Sequence, residues 1–478
     1  KPLYYYQGEK GFWFASEIKA ILAGASNGFS KNESLIDLYM SLGYIPGEDT
    51  LFQGIKRLLP GHYLLVSNNG ERKYKYWKVD YTVTNDLGEA YYQQKCKHLL
   101  NDSIDLRLRS DVPLGIFLSG GLDSAAVVGL LAERVPERLK TFSVAYDFGP
   151  EYDETKYARM VAERFNTEHH EIYVTPDDFL KLIPSYVYYM DEPVTEAAAI
   201  SLYFVSKLAK EHVTVVLSGE GSDEIFAGYD FYRYMLWVER YRKFAGESLA
   251  QYLSKIGNKT LKHSKLLKYI NMSGKSLEKR YRGISTYDEQ NKALLYTNEF
   301  SKYNHANSGS ETFLENLFAH SNGNDPLSRM LYFDLKTWLV DDLLIKADRM
   351  SMAHSLELRV PFLDHRLVEF AAGMPSKYKT QKGQNKYILK KMMQDVLPKE
   401  IIHRKKMGFP TPLEIMFRDK LFDYACDTLL ADTARTRPYF KKSAVESILF
   451  DHKNHKADNH KLLWQLIVLE EWLQRFGN

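Results

Sequence analysis

Cysteine is nearly absent: Cys96 and Cys426 are the whole supply in 478 residues, far apart and in no C-x-x-C. That excludes a disulfide scaffold, argues against zinc or dithiol redox chemistry, and fits a reducing compartment such as the cytoplasm. No run of 18 apolar residues occurs, so no membrane-spanning helix is expected. A surplus of one charge is missing too. The 64 Lys and Arg against 61 Asp and Glu leave +3, too little to argue for a nucleic-acid partner. There is no G-x-x-x-x-G-K phosphate loop, no H-E-x-x-H, no internal repeat and no low-complexity tract. The remainder, 45% hydrophobic and 26% charged, is ordinary for a globular protein of two or three domains with ample core.

Against that background two short stretches stand out. Leu118-Ser119-Gly120-Gly121-Leu122-Asp123-Ser124 follows an apolar run, Pro113 to Phe117, and precedes a helical pattern, Ala125 to Val135. A strand, a Gly-rich turn and a helix N-terminus make an anion site: backbone N–H groups converge and the helix end adds partial positive charge. Ser119 and Ser124 add hydroxyl donors. No lysine follows the glycines; instead Asp123 stands where a phosphate-bound metal could sit, which suits an enzyme that holds pyrophosphate and magnesium and cleaves ATP to AMP. Alone, such a turn reads more simply as a flexible corner. A second one changes that reading. Ser218-Gly219-Glu220-Gly221-Ser222-Asp223-Glu224 also follows an apolar run, Val213 to Leu217. In a parallel α/β sheet both turns face the crevice beyond the strand ends. Asp123 and Asp223 could then share a magnesium ion, which favours hard oxygen ligands.

The rest of the chain organises around these turns. Apolar runs at Leu114–Leu118, Thr141–Ala145, His170–Val174 and Val213–Leu217, with helical segments between them, predict βαβ units and a parallel sheet. Leu87 to Ser110 predicts a helix. From Phe231 onward the strand signal fades, and amphipathic stretches such as Leu327–Ile345 and Lys461–Phe476 predict a helical half. Ser301 to Asn324, rich in Asn, Ser and Gly, predicts a mobile loop. Residues 1–80 read as β-rich, with strands at Gly11–Ala15 and Tyr63–Val66.

The paired turns resemble the asparagine synthetase family, as do Asp341-Asp342-Leu343-Leu344-Ile345-Lys346-Ala347-Asp348-Arg349-Met350-Ser351-Met352, Glu357-Leu358-Arg359-Val360-Pro361-Phe362-Leu363-Asp364 and Arg404-Lys405-Lys406-Met407-Gly408-Phe409. The resemblance runs the length of the chain. It implies an α/β fold: a parallel-sheet ATP pyrophosphatase domain (adenine nucleotide alpha hydrolase-like) with a large helical C-terminal half, at residues 81–478. Lys1-Pro2-Leu3-Tyr4-Tyr5, Phe14-Ala15-Ser16-Glu17-Ile18-Lys19 and Leu59-Pro60-Gly61-His62-Tyr63 resemble the closing part of a class II, Ntn-type glutaminase domain. Such a domain uses an N-terminal cysteine nucleophile. This chain opens at Lys1, so residues 1–80 are expected to be a remnant of a truncated domain.

What the resemblance implies for chemistry is specific. The aspartate side-chain carboxylate attacks ATP, giving an acyl-adenylate and pyrophosphate. Ammonia, drawn from glutamine in the full-length enzyme, then gives asparagine and AMP. Leu118, Ser119, Gly120, Gly121, Asp123, Ser124, Val144, Ser218 and Gly219 match ATP-site positions, and Asp123 and Asp223 would hold Mg2+. Glu220 is the expected catalytic residue: an idle carboxylate would be wasteful inside such a turn, and asparagine synthetases have glutamate there where β-lactam synthetases have tyrosine. Small-molecule partners are implied, with no nucleic acid and no membrane; a homodimer is left open. Lys346, Arg349, Arg359 and Lys386 could balance pyrophosphate charge or pair with acids such as Asp342 and Asp348. His403, Lys405 and Lys406 form a basic cluster facing either the site or solvent. The His452–His460 group lacks a metal-binding spacing and reads as a solvated loop. Ala197 stands near a position where some asparagine synthetases carry an arginine linked to aspartate binding. The alternative is therefore a same-family amidotransferase acting on another carboxylate, such as a sugar uronate. A pyrophosphatase-fold tRNA sulfurtransferase would need a persulfide cysteine pair or a basic RNA face, and neither is evident. A non-catalytic nucleotide-binding subunit would be expected to have lost Asp123, Asp223 or Glu220.

Overall fold

The chain begins with strand β1 (Tyr4–Gly8), which pairs antiparallel with β2 (Gly11–Ala15) and, on its other side, with β3 (Lys56–Arg57). Gly11, at φ +137°, closes the tight β1–β2 turn, a conformation that favours glycine. β4 (His62–Ser67) and β5 (Gly70–Lys75) form a separate two-stranded hairpin. In this computed structural model, residues 1–478 are described except 26–27, 69, 136, 147–154, 246–271, 284–291, 293, 308–309, 405–410 and 478.

The larger sheet contains β6 (Leu114–Phe117), β7 (Lys140–Tyr146), β8 (Glu168–Val174), β9 (Val215–Leu217) and β10 (Glu357–Arg359), all parallel, in the order β10-β9-β6-β7-β8. The first four are the predicted ones, shifted by a residue or two. β10 is an addition: only Leu358 in it is apolar, so no periodicity announces it. The chain lays down β6, β7 and β8 in one direction, then returns to place β9 and β10 on the other flank. That reversal between β6 and β9 is a topological switch point, where parallel sheets open a crevice at their carboxyl ends.

Helices Glu89–Arg107, Leu122–Ala132, Thr155–Arg164, Pro176–Met190 and Ala198–Lys210 cover the sheet. Leu122–Ala132 is apolar almost all round, and Ser124 to Leu131 are buried, as expected of an interior helix. Pro176–Met190 starts with a complete capping box between Thr175 and Asp178. The second half is helical, as predicted, with two differences. The expected single stretch Leu327–Ile345 is helix Pro326–Lys336, a π-helical turn at Trp338–Leu343, and then helix Leu344–Met352. The predicted loop Ser301–Asn324 is instead largely helix, Asn298–Asn307 and Ser310–Ala319. Its Phe318 ring packs at 4.8 Å from Phe333 and 5.9 Å from Tyr281, so tertiary burial overrides a polar composition.

One connected core runs from Tyr4 to Leu473. The first 80 residues join it through the last helix, His460–Phe476. Tyr39 Oη donates to the Gln465 carbonyl (2.8 Å), Gln465 Nε2 donates back to the Tyr39 carbonyl (2.7 Å), and Phe52 packs against Trp472 at 5.2 Å. Arg57, only 4% exposed, bridges Glu192 (2.6 Å) and Asp341 (2.5 Å), so a buried ion triad ties β3 to the loop after Met190 and to the π-helical turn. Among the described residues no helix is long and apolar enough to cross a membrane.

Candidate active site

Both Ser-Gly turns sit where the topology puts them, at the carboxyl ends of β6 and β9, flanking the switch point. They touch. A Cβ built on Gly219 would lie 2.7 Å from the Ser124 nitrogen and 2.8 Å from the Asp123 carbonyl carbon, so the second turn rests on the backbone of the first. Gly120 is held at φ +71° with its Cα against Ala158; a Cβ there would meet the Ala158 nitrogen at 2.6 Å. Within the first turn, Ser124 Oγ accepts from Ser119 N (3.2 Å) and lies 3.1 Å from Ser119 Oγ.

The turns open into a cavity of about 960 Å³. Leu118, Ser119, Gly121, Asp123, Ser124, Val144, Ser218, Gly219, Glu220 and Asp223 all line it. Gly120 does not; it backs the wall, and its carbonyl accepts from Arg404 Nη1 (3.1 Å). The Arg404 guanidinium lies over the Tyr157 ring, 4.0 Å from its centre, so it clamps the first turn to helix Thr155–Arg164.

Lys386 sits between the two aspartates. Its Nζ is 2.5 Å from Asp123 Oδ2 and 2.6 Å from Asp223 Oδ1, and the side chain is 6% exposed. Burial alone would discharge this amine, but the two carboxylates outweigh it and its pKa is raised. The backbone at Lys386 is left-handed, φ +51°. Asn385 holds it there, donating from Nδ2 to the Gly228 carbonyl (3.1 Å) and to Asp230 Oδ1 (2.9 Å). Gly228 makes the room: a Cβ there would fall 1.7 Å from Asp223 Oδ1 and 2.2 Å from Lys386 Cε.

A second group of charges lines the same cavity. Glu196, Glu220 and Asp342 surround one ammonium, Lys346. Asp342 is 1% exposed, and neither carboxylate oxygen has a hydrogen-bond partner among the described residues. The same holds for Glu220 Oε2. Burial, reinforced by Glu196, pushes the Asp342 carboxyl well above the usual range; burial also raises that of Glu220, against the pull of Lys346. Lys346 keeps its charge because the surrounding carboxylates outweigh its burial. The π-helical turn aims these groups: Asp341 points to Arg57 and its neighbour Asp342 to the cavity.

Of the four basic residues the sequence left open, Lys346 and Lys386 reach the cavity. Arg349 turns away to the Ser16 carbonyl (2.8 Å) and Asp191 (3.2 Å); Arg359 turns to Glu357 (2.7 Å) and the Arg107 carbonyl (2.7 Å). His403 lines the cavity, while Lys405 and Lys406 lie outside the described residues. The solvated-loop reading of His452–His460 is corrected. His452 is fully buried, accepting from Asn459 N (3.1 Å) and donating from Nε2 to the Glu414 carbonyl (3.0 Å), whereas His460 lines the cavity. Sequence reasoning did not single out Glu196, and it saw Asp342 only as an ion-pair partner; Gly228, beside Asp223, was the available signal for the lysine clamp.

The donor set fits a magnesium ion. Two carboxylates converge from two strand ends, and Asp123 Oδ1 is buried with no hydrogen-bond partner among the described residues.

Residues 95–474 match the asparagine synthase family model, and residues 1–77 match a glutamine amidotransferase domain. The chain is 33% identical over 483 residues to glutamine-hydrolysing asparagine synthetase 1 of Bacillus subtilis strain 168, covering 99% of this chain and 73% of that protein. It is 31% identical over 482 residues to a putative glutamine-hydrolysing asparagine synthetase of Mycobacterium tuberculosis strain H37Rv, covering 99% of this chain and 72% of that protein. A more distant likeness, 26% identity over 449 residues, is to the amidase chyE of Penicillium rubens, covering 86% of this chain and 66% of that protein.

Proposed function

The chain belongs to the asparagine synthase family and is a ligase of that type; from that premise we propose that it activates the side-chain carboxylate of aspartate with ATP and transfers ammonia to it, in the cytoplasm, giving asparagine, AMP and pyrophosphate. Residues 81–478 carry the synthesis, and residues 1–80 belong to the portion that draws ammonia from glutamine.

The observation that carries this reading is the division of one cavity into a phosphate end and an acidic end. At the phosphate end, Ser119, Ser124, Ser218 and the N–H groups of the two turns hold the ATP phosphates, with Leu118 and Val144 against the nucleoside. Lys386 neutralises Asp123 and Asp223 and fixes the distance between the turns. Magnesium bound to Asp123 and Asp223 would supply positive charge to the phosphates. At the other end, the carboxyl groups of Glu196, Glu220, Asp342 and Glu224 act on one ammonium, Lys346. An amino acid can place its α-ammonium among Glu196, Glu220 and Asp342, which offer hydrogen-bond acceptors without partners of their own at Glu220 and Asp342, and its own carboxylates toward Lys346 and the phosphates.

The reaction then follows by positioning. An oxygen of the substrate's side-chain carboxylate attacks the α-phosphorus and pyrophosphate leaves. Ammonia attacks the acyl carbon, and AMP departs with the carboxyl oxygen. Glu220, held at the junction of the two ends with an unpartnered oxygen, orients the adenylate and accepts the proton that the incoming ammonia loses.

The experiment supplies ATP, magnesium and ammonium, and measures AMP release with aspartate, glutamate, succinate and a hexuronate. The expected result is turnover with aspartate and none with succinate, which keeps the two carboxylates but lacks the amine. Turnover with the uronate and none with aspartate would replace this reading by one with a sugar acid as acceptor.

A further inference from the structure

On the outer edge of the large sheet, against Phe142 of that cavity's lining, lies a cluster that the synthesis does not use. β8 is an edge strand, and its first and third residues, Glu168 and His170, share one face because strand side chains alternate. His170 Nε2 lies 3.0 Å from Glu168 Oε1. His212, in the turn that follows helix Ala198–Lys210, lays its ring on that of His170, with centres 3.9 Å apart and planes 29° from parallel. The backbone fixes this placement: His212 N donates to the Ala209 carbonyl at 2.9 Å. Phe142, the register partner of His170 on β7, floors the pair at 5.4 and 5.8 Å. One ligand atom from each of Glu168, His170 and His212 falls within 4.8 Å of the other two.

We propose that Glu168, His170 and His212 form a binding site for a divalent transition-metal ion of the zinc type, pinning the end of helix Ala198–Lys210 to the sheet edge. Two imidazoles and one carboxylate are the ligand chemistry that such ions select, and three protein ligands leave a fourth position for water. Magnesium, which prefers oxygen donors, is not suited to it. The Glu168 carboxylate, 41% exposed, supplies the oxygen donor. Its competitor is Lys140, whose Nζ is 4.0 Å from the same Glu168 oxygen. That side chain is 33% exposed, and at 4.0 Å its ammonium gives way to a dication. The site borders the ATP cavity through Phe142, which lines that cavity and packs on both histidines, while Glu168 is level with Lys140, two residues before Phe142 on β7.

The test uses the full chain without a histidine tag, in buffer holding saturating magnesium so that carboxylate sites are occupied. Cobalt(II) is titrated while its visible bands are recorded, then displaced with zinc. The expected result is one equivalent of cobalt bound through nitrogen ligands and released by zinc, with zinc raising the melting temperature. His212→Ala abolishes that equivalent. Glu168→Gln, a partly exposed and size-preserving change that leaves folding intact, weakens binding at least tenfold and removes the zinc-dependent rise in melting temperature. Absence of a bound equivalent in the parent chain, or an unchanged titration in Glu168→Gln and His212→Ala, overturns the proposal.

Discussion

Gly219→Ala tests the contact on which the site rests. The added methyl would lie 2.7 Å from the Ser124 nitrogen and 2.8 Å from Asp123 atoms, of which the carbonyl carbon is backbone that cannot swing aside. Ordinary contact is about 3.5–4.0 Å, so the two turns must part by about 1 Å. The displacement falls between the two turns proposed to hold the ATP phosphates. A misplacement of about 1 Å costs about 10²-fold in rate, equivalent to about 2.7 kcal/mol of transition-state stabilisation. The assay is aspartate- and ammonium-dependent pyrophosphate release, with thermal unfolding measured alongside. Gly373→Ala is the matched control, since a Cβ there meets nothing closer than 3.8 Å. The expected outcome is a rate about 10²-fold down in Gly219→Ala, an unchanged rate in Gly373→Ala, and folded protein in both. Wild-type turnover by Gly219→Ala would show that the turns separate freely and that their contact does not set the geometry of the reaction.

Three further outcomes follow from the same geometry. Glu220→Gln keeps size and removes charge, so ATP binding by direct titration should hold while pyrophosphate release falls by about 10²–10⁴-fold; proportional loss of both would make Glu220 part of the phosphate pocket. Asp123→Asn should sharply reduce AMP formation and shift the magnesium dependence of the residual turnover to higher concentration, because the ligand and half of the Lys386 clamp lose their charge; an unchanged magnesium profile would exclude Asp123 as a ligand. Asp334 is fully buried, and burial raises its carboxyl to about 8 although Tyr232 and Tyr281 donate to it. The folded chain therefore keeps a proton that the unfolded chain releases above about pH 4, and stability falls by about 1.4 kcal/mol per pH unit from there up to the folded value. Melting temperatures from pH 5 to 8 should decline less steeply in Asp334→Asn than in the parent; equal slopes would refute that assignment.

How far the sequence reached depended on whether a feature was local. β6, β7, β8 and β9 were legible because each is an unbroken apolar run bounded by turn residues, and the two Ser-Gly turns were legible because each is a continuous word. β10 was not: at a sheet edge it needs only backbone pairing, and Glu357 and Arg359 carry no apolar signal. Lys346 and Lys386 could not be told from Arg349 and Arg359, since every one is a basic residue near an acid, and only the path of the chain decides which faces the cavity. Asp341 and Asp342 are adjacent and alike in sequence, yet a π-helical turn sends them to different tasks. Ser301–Asn324 misled because composition was read without its Phe313, Leu314, Leu317 and Phe318, which recur at helical spacing.

β10 also has a consequence for how the protein is made. It pairs with β9 across about 140 residues of intervening chain, whereas β6 and β7 are neighbours in sequence as in space. During synthesis at about 5–20 residues per second, the free edge of β9 stays open for roughly 7–28 seconds. Through that interval the ribosome-bound chain exposes Val215, Val216 and Leu217, an apolar strand edge that can pair with any other extended segment. The second Ser-Gly turn, which begins at Ser218, hangs from this unfinished edge. The nascent enzyme thus has its greatest need of chaperones after the first Ser-Gly turn has formed and before Leu358 arrives to seal the strand that carries the second.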